Sequence, residues 1–571
     1  MKNLFSLFAC VLIALVMVQY RVSNSDMGGK PPLKITVWDA FGYYMYLPAT
    51  LIYDDYKQLK WLDTIDKRYA VTGGNGWQAE RLEHSNYVFK YLGGVALMQI
   101  PFFVAGHLVA KQLNYPQDGF SPPYQYALGF GAMLYCLLGL LVLRRVLLYY
   151  FPDKVVGVTL LLVALATNMM QYTAIDNGQS HVYIFLLYAL VLYATIRWHQ
   201  RPSAGWALLI GYIIGLATMS RPTEAIMLFI PLLWNTHTTG DAKAKWAMVR
   251  AGGVSIAAAA IGGVLGILPQ LLYWKSATGS FLYDVGSKWD FLNPHFRVLF
   301  GWEKGWFIYT PVTLLFIAGM FLMKGAPYRK SVLWFCLLNI YIIIAWHDWR
   351  YGGSYSTRAL VQSYPVFALP LAALVEKVER SKWRVAFYAL GLYLVGVNLF
   401  QLVQYNETIL HYNDMNRRYY GRIYLNAHPS PVDMSVLDSA EVLKDVARHS
   451  ATLVAGYDSS RRVSFPANGE LVVGEAHLPA GYAWLKIEAV IKAPGHLWLS
   501  YLNATVSNAA EHINSRVRLF SPISVDSAAN KYAFFMELPA QFRGGDLRVY
   551  LTSPGDFVGD VQQLRVKHLI K

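Results

Sequence analysis

The sequence predicts a polytopic α-helical membrane protein that ends in an antiparallel β-sandwich, and three observations predict it. Apolar segments approaching bilayer length recur from residue 4 to residue 404, and hydrocarbon about 30 Å thick takes about 20 helical residues to cross. Only 15% of the 571 residues are charged and 55% are hydrophobic, whereas an ordinary soluble chain is about 25% charged. After residue 404 the long apolar runs stop, and short alternating stretches separated by Gly, Pro, Asn and Asp turn signals replace them.

The candidate spans are 4–20, 92–110, 125–143, 155–174, 181–197, 205–234, 251–274, 306–323, 331–346, 359–375 and 385–404. Lys2 before the first run has the look of a signal peptide, but with so many later spans the segment is expected to remain as a first transmembrane helix. Basic clusters at Arg144, Arg145 and Lys154, at Arg197 and Arg201, at Lys243, Lys245 and Arg250, at Lys324, Arg329 and Lys330, and at Lys377, Arg380, Lys382 and Arg384 mark cytoplasmic loops. The N-terminus is then cytoplasmic, while 21–91, 275–305, 347–358 and the tail after 404 lie outside. Counting from the two ends differs by one crossing between 92 and 204, so 11 to 13 crossings are expected with the middle parity open.

The net charge of +15 reads as this positive-inside bias. No basic stripe or nucleic-acid motif accompanies it, so the expected partner is membrane lipid and no nucleic acid. Cys10, Cys136 and Cys336 all lie inside apolar runs and say little about redox compartment.

The expected organisation is a transmembrane domain over 1–404, a connector with helical pieces over 405–455 and an extracytoplasmic β-sandwich of jelly-roll type over 456–571. Its strands are expected at 461–466, 470–474, 483–491, 496–501, 515–520, 531–538, 546–552 and 562–568.

Polar residues kept beside spans are costly unless used or paired, and three outside loops concentrate them. The first carries Trp38-Asp39-Ala40-Phe41-Gly42-Tyr43-Tyr44-Met45-Tyr46, where an acid opens an aromatic stretch. A partly desolvated carboxylate suits a general base that takes a hydroxyl proton; the alternative is that Asp39 caps an interfacial helix amid an aromatic belt. The same loop ends on Lys90-Tyr91-Leu92-Gly93, where the lysine either snorkels or binds a phosphate at headgroup level. Between two later spans, Trp346-His347-Asp348-Trp349-Arg350-Tyr351-Gly352-Gly353-Ser354 through Arg358 gathers two arginines suited to anion recognition and two glycines that permit close backbone approach. The loop 275–305, with Asp284, Lys288, Asp290 and His295, is a candidate lid. Asp176 with His181 and Arg221 with Glu224 are either site residues or structural pairs at span edges.

No glycine-rich phosphate cradle, metal-spaced His or Cys cluster, or serine-nucleophile elbow is found. Energy for group transfer must therefore come from an activated, lipid-borne donor.

In this order and placement the motifs resemble the polytopic GT-C superfamily of glycosyltransferases, in particular the bacterial branch related to protein O-mannosyltransferases and lipid A aminoarabinose transferases. The resemblance rests on Asp39 with Tyr43-Tyr44, Lys90-Tyr91-Leu92-Gly93 leading to Pro101-Phe102-Phe103, Gly215-Leu216-Ala217 before Ser220-Arg221-Pro222, Gly305-Trp306-Phe307 with Thr310-Pro311, and Gly352-Gly353-Ser354 with Arg358. It covers roughly residues 1–404. It implies a polyprenyl-phosphate sugar donor, a glycan, lipid or protein acceptor, and an inverting transfer on the outer face of a bacterial plasma membrane. Asp39 would be the catalytic base, and Lys90 with arginines such as Arg358 would hold the lipid phosphate. Tyr43, Tyr44, Tyr91, His181, Arg221, His347, Asp348 and Arg350 complete the expected substrate-binding set. Many relatives have an Asp-Glu pair where this chain has Asp39-Ala40, and no Asp-x-Asp motif replaces it. No cofactor is therefore assigned and a divalent metal is left open.

Two other classes share these features: a transporter or flippase for a lipid-linked glycan, and a non-catalytic glycan-binding scaffold. Inverted repeats with broken helices would favour transport, and none is seen. The topology has a direct test: a reporter active only outside the cytoplasm should be active when fused at Lys571 and silent when fused near Lys382, and the reverse would place the candidate loops on the wrong face.

Overall fold

The computed structural model describes residues 3–82, 86–441, 443, 445–481, 483–493, 497, 499–509, 511–519 and 529–570. The chain divides into two compact units, 1–399 and 400–571, and the division falls inside the helix Arg384–Asn406.

The first unit is helical, as a chain that must satisfy its own backbone polar groups in lipid requires. Among the described residues seven helices are long and apolar enough to cross a bilayer: Leu4–Ser23, Gly94–Gln112, Pro122–Leu148, Ser180–Gln200, Gly253–Thr278, Arg358–Glu379 and Arg384–Asn406. Of the remaining expected spans, 331–346 is the continuous but shorter helix Arg329–Ile344, and the other three are interrupted. The expected span 205–234 is the helix Ala204–Ser220, a break at Arg221, and a further turn from Pro222. Arg221 is extended, at φ −152° and ψ 123°, because the proline ring disfavours helical geometry in the residue before it. The segment 155–174 likewise divides into Asp153–Leu165 and Met169–Ala174.

Burial separates central from peripheral helices. Within one apolar 18-residue stretch of each, 83% of Ser180–Gln200 and 89% of Arg358–Glu379 is buried by protein, against 22% for Gly253–Thr278. That exposed helix docks through its backbone on Ala204–Ser220. A Cβ at Gly211 would stand 1.9 Å from the Ala259 carbonyl oxygen, and one at Gly262 would stand 2.2 Å from that of Leu208. Both helices carry glycines four residues apart, Gly211 and Gly215 facing Gly262 and Gly266. Small residues let helices pack closely where lipid offers no hydrophobic drive between them.

The segment 39–91 is built on two short helices, Asp39–Tyr44 and Tyr46–Leu51, and a hairpin of β1 (Ala79–Arg81) and β2 (Tyr87–Phe89) with Ala79 opposite Phe89. Its core joins Phe41, Tyr44, Trp61 and Phe89 to Phe103 and Tyr124 of the adjoining helices and to Phe120 in the loop between them.

The second unit contains a two-sheet sandwich. Its strands are β3 (Ser450–Tyr457), β4 (Arg461–Phe465), β5 (Glu470–His477), β6 (Trp484–Lys492), β7 (Tyr501–Ser507), β8 (His512–Arg518), β9 (Asn530–Glu537), β10 (Asp546–Thr552) and β11 (Phe557–Ile570). One sheet has the order β5-β10-β7-β8 and the other β3-β11-β6-β9, with β4 also paired to β11. All pairings are antiparallel. Leu485, Ile487, Leu502, Val506, Phe534, Val549, Leu564 and Val566 meet in one core, the alternation expected of strands with one buried face. The strand expected at 496–501 begins instead at Tyr501, and residues 496 and 498 lie outside the described residues, as does residue 520 of the stretch expected at 515–520. Strand β3 falls where a connector was expected, because its small residues and exposed edge position mask the alternation. Within the unit, Arg518 binds Asp438 and Asp414 at 2.6 and 3.1 Å, tying the preceding segment to the sandwich.

Gly211→Leu or Gly262→Leu should each destabilise the protein by about 3 kcal/mol, at the upper end of overpacking costs. Gly205→Leu, with open space around it, should be near neutral. Thermal unfolding in detergent checks this, and equal effects at all three positions would sink the close-packing account.

Candidate active site

Asp39 is the first residue of the helix Asp39–Tyr44, and the residue before it, Trp38, takes φ 54° and ψ −128°. Such backbone geometry costs a non-glycine residue about 1–3 kcal/mol. It is held by Trp38 N–H donating to the Val71 carbonyl at 3.0 Å and by the Gln78 side chain donating to the Trp38 carbonyl at 3.3 Å.

The Asp39 carboxylate does not cap its helix. Tyr91 OH donates to Oδ1 at 2.8 Å, and the Arg358 guanidinium donates to Oδ2 through Nη2. Both partners of this ion pair are largely shielded, with side-chain exposures of 21% and 11%. The second arm of Arg358, Nη1, donates to Gln179 Oε1 at 2.8 Å. Gln179 is the residue before the helix Ser180–Gln200, and Arg358 opens the segment Arg358–Glu379, so the two most buried helices fix the guanidinium from both sides.

Tyr91 is placed by packing. Its ring meets Tyr43 edge to face at 4.7 Å and Trp77 at 5.9 Å, and a side chain at Gly42 would collide with it at 2.1 Å. Burial first, then the Asp39 carboxylate, pushes the Tyr91 phenol well above its usual range, so it remains a donor. Lys90, one residue earlier, is half-buried and anchored by its backbone N–H to the Gln78 carbonyl at 2.9 Å. Among the described residues its ammonium makes no hydrogen bond or ion pair.

The loop that delivers Arg358 is clamped from beneath. Lys304, 3% exposed, donates to the carbonyls of Arg350 (2.7 Å) and Gly352 and to Ser354 Oγ at 3.2 Å, and Thr357 Oγ1 donates to the Val298 carbonyl at 2.8 Å. Tyr351 lies within electrostatic range of both Arg221 and Arg358; burial raises its phenol, which the two guanidinium groups oppose. Behind them His181 Nδ1 meets Gln362 Oε1 at 2.7 Å. Gln362 Nε2 in turn donates to Glu224 Oε1 at 3.0 Å.

Asp39, Tyr91 and Arg358 thus meet directly, with Tyr43 against the Tyr91 ring; Lys90 precedes Tyr91 in the chain, and His181 joins the network of Gln362 and Glu224. Tyr44 does not join them. One residue on along its helix, it turns into the core against Phe103 and Phe120, and its hydroxyl donates to the Gly119 carbonyl. His347 and Arg350 also lie elsewhere: His347 Nδ1 binds Asp290 at 2.9 Å, and Arg350 stacks on Trp349. The Asp348 carbonyl accepts from the Tyr351 N–H at 2.9 Å. Asp176 is paired with Gln171 at 3.1 Å, not with His181. Gln179, Gln362 and the clamp by Lys304 escaped sequence reasoning. The two neutral amides carry no compositional signal, and a lysine in a loop reads as exposed. Among the described residues no three His, Cys, Asp or Glu side chains are grouped to hold a metal ion.

Residues 124–261 match the family described as dolichyl-phosphate-mannose-protein mannosyltransferase. The GT-C resemblance is borne out over that stretch. It covers about a quarter of the chain and includes Gln179, His181, Arg221 and Glu224. Protoheme IX farnesyltransferase of Flavobacterium johnsoniae is 32% identical over 153 residues, 25% of this chain and 47% of that protein; the chain thus spans about half the length of this curated relative. Among solved structures, the apo oligosaccharyltransferase of Archaeoglobus fulgidus aligns at 12% identity over 74% of this chain and 58% of that one, with a TM-score of 0.37. Arabinosyltransferase EmbB of Mycobacterium smegmatis aligns at 11% identity over 98% of this chain and 64% of that one, with a TM-score of 0.32. Both structural likenesses are distant, and neither bears on the site.

Removing one member of a shielded ion pair leaves the other uncompensated, at a cost of about 3 kcal/mol. Arg358→Met should lower stability by that amount, and adding Asp39→Asn to it should restore a large part. A double-variant cycle on unfolding midpoints in detergent checks the coupling; strictly additive losses would mean that the pair does not govern the site's stability.

Proposed function

We propose that the protein is a membrane glycosyltransferase that moves a sugar from a polyprenyl-phosphate donor to an acceptor hydroxyl on the extracytoplasmic face of a bacterial plasma membrane. The observation that carries this reading is the Asp39 carboxylate, held between Tyr91 and Arg358 at the end of the most buried helices. The family match over residues 124–261 supports the same class of chemistry.

In this reading Asp39 takes the proton from the acceptor hydroxyl as the oxygen attacks the anomeric carbon. The bond between that carbon and the phosphate oxygen breaks, its electron pair leaves with the polyprenyl phosphate, and attack from the opposite side inverts the anomeric centre. The departing group is a phosphate anion, so cations must receive it. Arg358 offers a planar fork, and Lys90 offers an ammonium that makes no hydrogen bond or ion pair among the described residues. A phosphate that draws Nη2 of Arg358 from Asp39 also frees the carboxylate to accept a proton, while Gln179 keeps hold of Nη1.

Asp39→Asn tests the reading with the least disturbance, since Asn keeps an oxygen toward Arg358 but cannot serve as a base. Purified variant and wild type are incubated with polyprenyl-phosphate sugars, and release of the lipid phosphate is followed. Turnover should fall by roughly 100-fold or more, the usual scale of positioned acid–base catalysis, with donor binding retained. A well-folded Asn variant that transfers sugar at a near-normal rate would remove Asp39 from the mechanism, and the same result together with intact glycan export would favour a transporter.

A further inference from the structure

The residue just before Asp39 is an anomaly of its own. Trp38 sits at positive φ with ψ −128°, where glycine is at ease and a bulky residue is an outlier. A glycine does occupy the facing position: at Gly73, itself at φ 77°, a Cβ would stand 2.3 Å from the indole ring. The ring therefore lies flat against bare backbone. Unlike Tyr43 and Tyr44, which are 8% and 0% exposed, Trp38 is 56% exposed.

The same short loop, 72–78, supports both this indole and the neighbourhood of the carboxylate. Gly73 underlies the Trp38 ring, the Gln78 amide binds the Trp38 carbonyl, and Trp77 packs on Tyr91, whose hydroxyl holds Asp39. A tryptophan that merely anchors the chain at a lipid interface needs no unfavourable backbone and no glycine beneath it. An observed backbone outlier at a site points toward use.

We propose that Trp38 is the stacking platform for the acceptor and that the acceptor is a saccharide. The electron-rich face of an indole complements the polarised C–H face of a sugar ring, and a platform fixed next to the base would bring a ring hydroxyl to Asp39. This rests on the reading of Asp39 as the base, but sugar binding can be measured without turnover and so can fail or succeed independently.

Trp38→Gly and Trp38→Phe are made in both the wild-type and Asp39→Asn backgrounds, and binding of fluorescently labelled trisaccharides of glucose, mannose and N-acetylglucosamine is measured without donor. Wild type should bind at least one of them. Trp38→Gly should weaken that binding tenfold or more in both backgrounds, Trp38→Phe should recover part of it, and affinity for the polyprenyl phosphate should be unchanged. Because glycine relieves the backbone, the unfolding midpoint of Trp38→Gly should hold or rise. Equal saccharide binding by wild type and Trp38→Gly, or none by wild type, overturns the proposal. A lower midpoint with unchanged binding also overturns it and returns Trp38 to a structural role.

Discussion

A carboxylate withdrawn from water at the end of a helix bundle must be paired, and the pairing of Asp39 with Arg358 organises this end of the first unit. The partners are 319 residues apart in sequence, so the contact joins the segment 39–91 to the loop before Arg358–Glu379. Each side needs its own support. Asp39 depends on the strained turn at Trp38 and on Tyr91, and Tyr91 depends on the absence of a side chain at Gly42. Arg358 depends on Gln179 and on a loop that the buried Lys304 holds through two carbonyls and a hydroxyl. Through these bonds that lysine fixes the backbone of the loop from which Arg358 extends.

The bilayer explains why these residues lie where helices begin and break. Inside hydrocarbon the backbone must pair with itself, so irregular geometry and ionisable groups are confined to helix ends and to positions covered by protein. Arg221 illustrates this. The proline after it prevents the helix from continuing, and the extended residue projects from the break. Central helices carry the polar network because protein on all sides supplies partners: His181, Gln362 and Glu224 follow one another by hydrogen bonds. The peripheral helix Gly253–Thr278, facing outward over most of its surface, instead attaches by glycine-to-backbone contact.

Much of this was legible in the sequence, and the parts that were not share a physical cause. Hydropathy shows which segments enter lipid and which polar residues remain beside them, and so it shows Asp39, Lys90, Tyr91 and Arg358. It does not show the direction of a side chain around its helix. Tyr43 and Tyr44 are adjacent letters, yet successive residues lie about 100° apart around a helix, and one ring reaches Tyr91 while the other enters the core. Loop-to-loop pairing was also hidden. The bridge between Trp289 and Trp346 carries His347 to Asp290, and nothing in composition foretells that register. Proline and glycine spacing did reveal turns between strands, but β3, with Ser, Ala, Thr and Gly along an exposed edge, lacks the apolar alternation by which strands are recognised.

In the proposed transfer Asp39 is both paired and the base, so its contact with Arg358 has to open before it takes a proton. The geometry offers a way out that a tighter pair would not. Arg358 meets Asp39 with one arm and a neutral amide with the other, so an incoming anion has to displace one contact rather than two. Had position 179 carried a carboxylate, the guanidinium would be neutralised twice and have little left for a phosphate. Had it carried an apolar side chain, the freed arm would be unsatisfied and the pair with Asp39 would have to hold it alone. The amide lies between these limits: it satisfies a donor and fixes a direction yet adds no charge, so that in the proposed transfer the guanidinium serves both the base and the departing phosphate.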